Sequence, residues 1–127
     1  MITTVAYSTE ALVRAGQGSR MLWALHRALL EEGVLPVTSA HCHLTAALTS
    51  DAELLDDFLA GVEVEPLTAE VIVAARALTA SSASATPEER LLVELVSRRQ
   101  AAVISSKVRS LVEVARRAEV PLVSWGI

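Results

Sequence analysis

The chain has 127 residues, of which 52% are hydrophobic and 20% charged, with a formal net charge of −4 at pH 7. A chain of this length can bury a core without disulfides, and its composition excludes an intrinsically disordered protein. The acidic balance argues against a general nucleic-acid-coating protein, although it leaves room for a local basic site.

The same sequence gives an expectation for the compartment. No apolar run approaches the roughly 18 residues of a membrane-spanning helix, and the N-terminus lacks the basic and apolar regions of a signal peptide. The single cysteine, Cys42, excludes an internal disulfide and fits a reducing environment. We therefore expect a cytoplasmic protein with no membrane segment.

The first half of the chain has alternating strand and helix patterns. In chain order, these predict a strand at 2–7, helices at 10–15 and 19–32, a strand at 34–37, and helices at 38–49 and 52–60. The first, second and last of these helices end at glycines, a residue common just past a helix C-terminus. The pattern from Ser50 to Glu53 is that of a capping box opening the last helix.

The second half continues the alternation. The patterns predict a strand at 62–64, a helix at 68–79, a flexible low-complexity loop at 80–86, a helix from 87 to about 100, a strand at 101–104, a further helix and a strand at 120–125. Thr86 and Glu89 form a second capping-box pattern, and Pro87 suits the first helical turn. The sequence therefore predicts one domain over 1–127, a three-layer α/β/α sandwich around a parallel sheet of about five strands.

A ligand site in such a sheet is expected at the carboxyl ends of the strands, near the point where the strand order reverses. The residues at Tyr7–Ser8 and Ser105–Ser106 end the two longest candidate central strands. A functional site is therefore predicted at these two strand ends.

Four segments in this order resemble the PIN domain, the fold of VapC-type ribonuclease toxins. VAYSTEAL resembles the first strand and Asp-Thr-Ser-Ala-Leu turn of that family, and SAHCHLTAAL resembles its helix with an acidic residue. EVEPLTAEVIVAARAL is similar to the segment before the third motif. ERLLVELVSRRQAAVISSKVRSLVEVA is similar to the Asp-Ala helix, the next strand and the Thr-x-Asp turn. The resemblance covers nearly the whole chain in order and spacing.

The resemblance implies a metal site made of carboxylates, and those residues are largely replaced here. The family's acidic positions fall on Ser8, His43 (Cys42 if the register slips by one), Glu89, Lys107 and Ser110. Mg²⁺ takes oxygen ligands and is usually held through carboxylates. One glutamate beside a lysine does not supply them, so we expect a vestigial site without a metal or other cofactor.

Two other chemistries are suggested by the residues and are disfavoured by their spacing. His41, Cys42 and His43 are adjacent on a predicted helix, where neighbours in sequence do not face one another, so they are a poor zinc site. Ser8 with His43 as its base would lack a third orienting group for serine catalysis. We expect neither a zinc site nor serine catalysis.

The functional expectation is therefore a degenerate PIN-like domain that works through binding. The resemblance implies a homodimer, with or without an antitoxin-like protein partner, and the apolar helix at 68–79 suits a dimer face. An alternative is a divalent-metal ribonuclease toxin that uses Glu89, His43 and either Glu10 or Glu88. RNA binding stays open in both cases.

A further alternative is a module that binds a small anion or nucleotide. Ser8, Ser106 and Lys107 place hydroxyls and one ammonium where the family has acids. Helices that begin at the same end of the sheet direct free N–H groups toward such a ligand.

Overall fold

In the computed structural model, which describes residues 2–127, strands and helices alternate along most of the chain. The elements are β1 (Thr4–Tyr7), α1 (Thr9–Gly16), α2 (Arg20–Glu31), β2 (Leu35–Ser39), α3 (Ala40–Ala47), α4 (Ala52–Leu59), β3 (Glu63–Glu65), α5 (Ala69–Leu78), α6 (Pro87–Arg99), β4 (Ala102–Ser105), α7 (Val108–Arg117) and β5 (Ser124–Gly126). None of these helices is long and apolar enough to cross a membrane.

The strands form one parallel sheet in the order β3-β2-β1-β4-β5. Helices α1 to α4 pack around one another on one side, and α5 to α7 form a second group, with β1 contacted by both α1 and α6. The predicted three-layer α/β/α architecture with five parallel strands is confirmed. Because β1 pairs with both β2 and β4, the strand order reverses beside it, and ligands of open α/β sheets bind at such a point.

Three predicted element boundaries were wrong. The helix predicted at 38–49 begins only at Ala40, because Thr38 and Ser39 complete β2 and the Ser39 hydroxyl caps α3 through the Cys42 N–H. The N-cap of α4 is Asp51 rather than Ser50, whose hydroxyl donates to the Ala46 carbonyl oxygen at 2.6 Å. The last strand covers Ser124–Gly126 and not the longer predicted run.

A buried aromatic cluster joins the first strand to α2 and α4. The His26 ring stacks on Phe58 with 4.1 Å between centroids, and the Tyr7 hydroxyl lies 2.9 Å from His26 Nδ1. Trp23 meets Phe58 edge-on. Burial lowers the pKa of His26, and a hydrogen bond to the Phe58 backbone offsets part of this effect. The imidazole is therefore held neutral inside the core.

This buried histidine predicts a pH-dependent stability. Its pKa is lowered in the folded state, so the unfolded chain takes up the proton first as the pH falls below about 6.5. The stabilisation is complete above that pH and is lost as the pH drops toward the folded-state pKa. Urea unfolding of wild type over mildly alkaline to mildly acidic pH should show this loss, and His26→Asn should remove most of it.

Carboxylates whose pKa is lowered in the folded state contribute at lower pH. Partial burial raises the pKa of Glu65, but the hydrogen bonds and charges of Arg98 and Arg99 outweigh it, so the contribution of Glu65 is lost only as the pH falls below its ordinary value of 4.5. A loss of stability that begins between about pH 6.5 and 4.5 is therefore assigned to His26. An identical pH slope in wild type and His26→Asn within that range would contradict the assignment.

The serine-rich segment predicted as a flexible loop is held by one side chain. The Arg90 guanidinium donates to the carbonyl oxygens of Thr79 at 2.9 Å, Ser82 at 2.8 Å and Ala85 at 3.2 Å. It also donates to the Thr79 hydroxyl at 3.0 Å. The segment from 79 to 85 is therefore wrapped around a residue of α6.

Candidate functional site

The carboxyl ends of β1 and β4 lie side by side, since Tyr7 pairs with Ile104 and the Ser8 N–H donates to the Ile104 carbonyl at 3.1 Å. Beside them is a cleft of about 430 Å³ between α3, α6 and α7. Its lining residues are His41, Ser84, Thr86, Pro87, Glu88, Glu89, Leu92, Ser105, Lys107, Ser110 and Leu111. Of the predicted vestigial site, Glu89, Lys107 and Ser110 share this cleft.

Glu88 is the cleft residue that sequence reasoning underestimated. Its Oε1 accepts a hydrogen bond from the Thr9 N–H at 2.7 Å and lies 3.7 Å from the Cys42 Sγ. Thr9 begins α1, so a carboxylate from α6 sits at the positive end of that helix, where negative charge is stabilised. Glu88 therefore links α1, α3 and α6 and carries out a structural task.

Glu89 is the second carboxylate of the cleft, and it also has internal partners. Its Oε1 accepts from the Thr86 N–H at 2.9 Å, and its N–H donates to the Thr86 hydroxyl at 3.2 Å, which completes a capping box. The Ser110 hydroxyl contacts its other oxygen. Partial burial raises the pKa of Glu89, but the hydrogen bonds from Ser110 and Thr86 and the charge of Lys107 outweigh it and lower the pKa overall.

Ser8 lies at the predicted strand end but below the surface. Its side chain is 1% exposed, and its hydroxyl accepts from the Ala11 N–H at 3.2 Å as the N-cap of α1. Ser8 is not among the residues that line the cleft. Ser8 is therefore adjacent to the site without lining it.

His43 was predicted to converge with these residues, and the structure places His41 there instead. Adjacent residues on a helix are about 100° apart, so positions 41 and 43 point to nearly opposite sides of α3. Because α3 starts at Ala40, the face toward the cleft carries His41, whose Nδ1 is buried without a hydrogen-bond partner in the described part of the chain. His43 does not line the cleft.

Cys42 is fully buried on the same helix, as a small apolar residue would be. Burial raises the pKa of its thiol, and the nearby Glu88 charge adds to that rise, although hydrogen bonds from Ser39 and Thr9 oppose it. The thiolate is the reactive form of cysteine. Cys42 is therefore a packing residue and not a nucleophile.

Lys107 is the lysine that lines this cleft, and Ser106 precedes it in the chain. Lys107 is exposed, and as the N-cap of α7 it provides no side-chain hydrogen bond to that helix. Its backbone N–H donates to the Ser105 hydroxyl at 3.1 Å, and Ser106 is half-buried. Glu89 already brings a carboxylate to the first turn of α7. The anion site at Ser106 and Lys107 stays a prediction. The Ser8 hydroxyl, which was predicted to belong to the same site, accepts a hydrogen bond from a backbone N–H at the start of α1.

The alternative metal ligands are not assembled. Glu10 lies on α1 and, like His43, does not line the cleft. Within residues 2–127, no group of three or more His, Cys, Asp or Glu side chains is arranged to hold a metal ion.

The sequence matches no protein-family model, and it matches none of the curated proteins either.

The capping box gives a direct prediction for stability. Thr86→Ala removes the acceptor for the Glu89 N–H and is expected to lower the free energy of unfolding by about 1 kcal/mol. Glu89→Gln should cost much less, since a glutamine oxygen can still accept from the Thr86 N–H. Urea denaturation of both variants tests this. An equal loss in both would mean that the charge of Glu89 contributes as much to the stability of the helix as the Thr86 hydroxyl cap does.

Proposed function

We propose that this chain is a degenerate PIN-like domain that acts through binding and not through catalysis. The observation that carries the proposal is the fate of the two carboxylates in the cleft. Glu88 accepts a hydrogen bond from the Thr9 N–H. Glu89 accepts hydrogen bonds from the Thr86 N–H and the Ser110 hydroxyl. Both acids stabilise helix ends, so the carboxylates that a metal ion in this cleft would need already have structural roles.

The charge of the cleft supports the same proposal. Phosphodiester cleavage with divalent metals uses the metals to activate the nucleophile and to stabilise the leaving oxygen, and these ions require several carboxylates. Lys107 puts a cation beside Glu89, and its charge contributes to the lowered pKa of that carboxylate. The Lys107 ammonium would repel a divalent cation in this cleft. The two carboxylates, Glu88 and Glu89, would also supply too few oxygen ligands for it.

The binding role is proposed to include a homodimer formed through α5. Of the ten residues of this helix, only Ala75 is buried, whereas Ile72 is 52% and Val73 is 68% exposed. The other side of α5 packs on α6. An apolar helix face left open to water is typical of an interface, and a second copy of the chain is the occupant that the PIN-like resemblance favours.

An RNA cleavage assay tests the catalytic part of the proposal. Wild-type protein with added Mg²⁺ or Mn²⁺ is expected to cleave neither single-stranded nor structured RNA above a protein-free control. Each preparation should be repurified and compared with Glu88→Gln and Glu89→Gln. Cleavage by wild type that survives repurification and disappears in either variant would favour the alternative of a metal-dependent ribonuclease.

A further inference from the structure

A second open cleft lies away from the carboxyl edge of the sheet. It has a volume of about 840 Å³ and lies between the end of α1, the α3–α4 connection and α4. Gly16 allows this arrangement, because a Cβ at that position would lie 2.5 Å from the Ser50 hydroxyl. The α3–α4 connection can therefore rest directly against the end of α1.

The cleft has apolar side chains facing water. Leu48, at the end of α3, is 77% exposed, the highest value among the large apolar side chains of residues 2–127. Leu54 from α4 lines the same cleft and is half-buried. An exposed leucine in a concave surface is a suitable anchor for an apolar side chain of a ligand.

Three carboxylates surround these leucines. Asp51, Glu53 and Asp57 line the cleft, and no lysine or arginine among the described residues does so. Asp51 uses Oδ1 to cap α4 through the Leu54 N–H at 2.9 Å, and its other oxygen accepts no hydrogen bond from residues 2–127. None of the ion pairs formed within residues 2–127 involves these three acids. The rim is therefore strongly acidic.

The position of Asp57 is unfavourable for α4 itself. Glu53 and Asp57 are four residues apart, a spacing at which like charges repel on a helix. Asp57 also lies in the last turn, where the helix dipole disfavours negative charge and where α4 has no basic residue. Asp51 and Glu53 favour the start of α4, but the repulsion between Glu53 and Asp57 and the charge of Asp57 in the last turn oppose its folding. A cationic ligand would relieve both of these effects. Residues that break a local rule are expected at functional sites.

We propose that this cleft binds a basic amphipathic segment of a partner protein, with an aliphatic side chain against Leu48 and Leu54 and lysine or arginine facing the acidic rim. Charge complementarity selects a basic occupant, and the exposed leucines require it to be amphipathic. The inference rests on the proposed binding role. It is independent of the RNA assay, because none of its residues lines the cleft at the carboxyl edge.

The test measures fluorescence anisotropy of three labelled helical peptides at low and physiological salt. The first peptide has a leucine face and a lysine face, the second replaces lysine by glutamate, and the third replaces leucine by alanine. The first is expected to bind wild type, and the other two to bind far more weakly. A protein with net charge −4 attracts any cationic peptide. Variants of the cleft are therefore needed to show where the first peptide binds.

The variants distinguish binding at this cleft from attraction to the general negative charge of the surface. Leu48→Ser, and the double variant Glu53→Gln with Asp57→Asn, should each weaken the first peptide by about tenfold. The matched control, Glu31→Gln with Glu32→Gln, removes two exposed charges at the end of α2 and should leave binding nearly unchanged. Thermal melts verify that all variants fold.

Three results would overturn the inference. The first is the absence of binding of any peptide to wild type. The second is equal weakening by the cleft pair and by the control pair, which would indicate non-specific attraction. The third is binding that Leu48→Ser leaves unchanged. A failure of this kind would leave the result of the RNA cleavage assay unaffected, so the two proposals fail separately.

Discussion

Arg90→Ala is expected to lower the free energy of unfolding by about 3 kcal/mol. The guanidinium donates to the carbonyl oxygens of Thr79, Ser82 and Ala85 and to the Thr79 hydroxyl. A hydrogen bond from a charged donor contributes about 1.5 to 3 kcal/mol, and bonds that share one side chain do not add fully. Urea denaturation measures the loss. Proteolysis should become faster within 79–85, because these carbonyls lose the donor that holds the segment together.

Two variants bound the interpretation of Arg90. Arg90→Lys should cost an intermediate amount, because one ammonium cannot reproduce the forked donor geometry of the guanidinium. Arg27→Ala removes an exposed arginine of α2 and should change stability by less than about 0.5 kcal/mol. If Arg90→Ala were as mild as Arg27→Ala, the segment would be held by other contacts.

Val73→Glu is expected to convert the proposed homodimer into a monomer. Val73 is 68% exposed on α5, so the isolated chain should tolerate the substitution. In a two-fold interface, each copy would then bury a carboxylate without a partner, which strongly disfavours association. Light scattering after size-exclusion chromatography over a range of concentrations should give the dimer mass for wild type and the monomer mass for the variant.

The same substitution on another helix provides the matched control. Val112 of α7 is 40% exposed, and Val112→Glu should leave the dimer intact because α7 is outside the proposed interface. A wild-type chain that is monomeric at every concentration, or a dimer that survives Val73→Glu, would contradict the role of α5.

The fold was predictable because local signals and the global architecture agree. The continuous apolar run that became β4 is buried throughout, and the capping box at Thr86 formed as its spacing indicated. The start of α3 was not predictable, because Ser39 is at once the last residue of β2 and the N-cap of the next helix. A serine in either role has the same local sequence signature.

The sequence anticipated only part of the set of residues that line the cleft at the ends of β1 and β4. The place of this cleft follows from the parallel sheet, and Glu89, Lys107 and Ser110 do share it. Glu88 was underestimated because its partner, the Thr9 N–H, is 79 residues away in the chain. One local signal pointed to it: a capping box turns Glu89 back toward Thr86 and leaves the neighbouring position to face another element.

His41 was missed for a related reason. The choice of His43 followed from the register of the family resemblance, which gives the order of residues along α3 and not the face of the helix that meets the cleft. The direction of a side chain on a short helix therefore requires the tertiary structure, even where the helix itself is evident from the sequence.

The measurement that tests the central claim most directly is a calorimetric titration of the wild-type protein with Mn²⁺. Because Glu88 and Glu89 are bound to helix ends and Lys107 lies beside Glu89, no saturable binding is expected at millimolar metal, and the melting temperature should not rise. Saturable binding that Glu88→Gln or Glu89→Gln abolishes, in variants that remain folded, would contradict the account and restore a metal-dependent site.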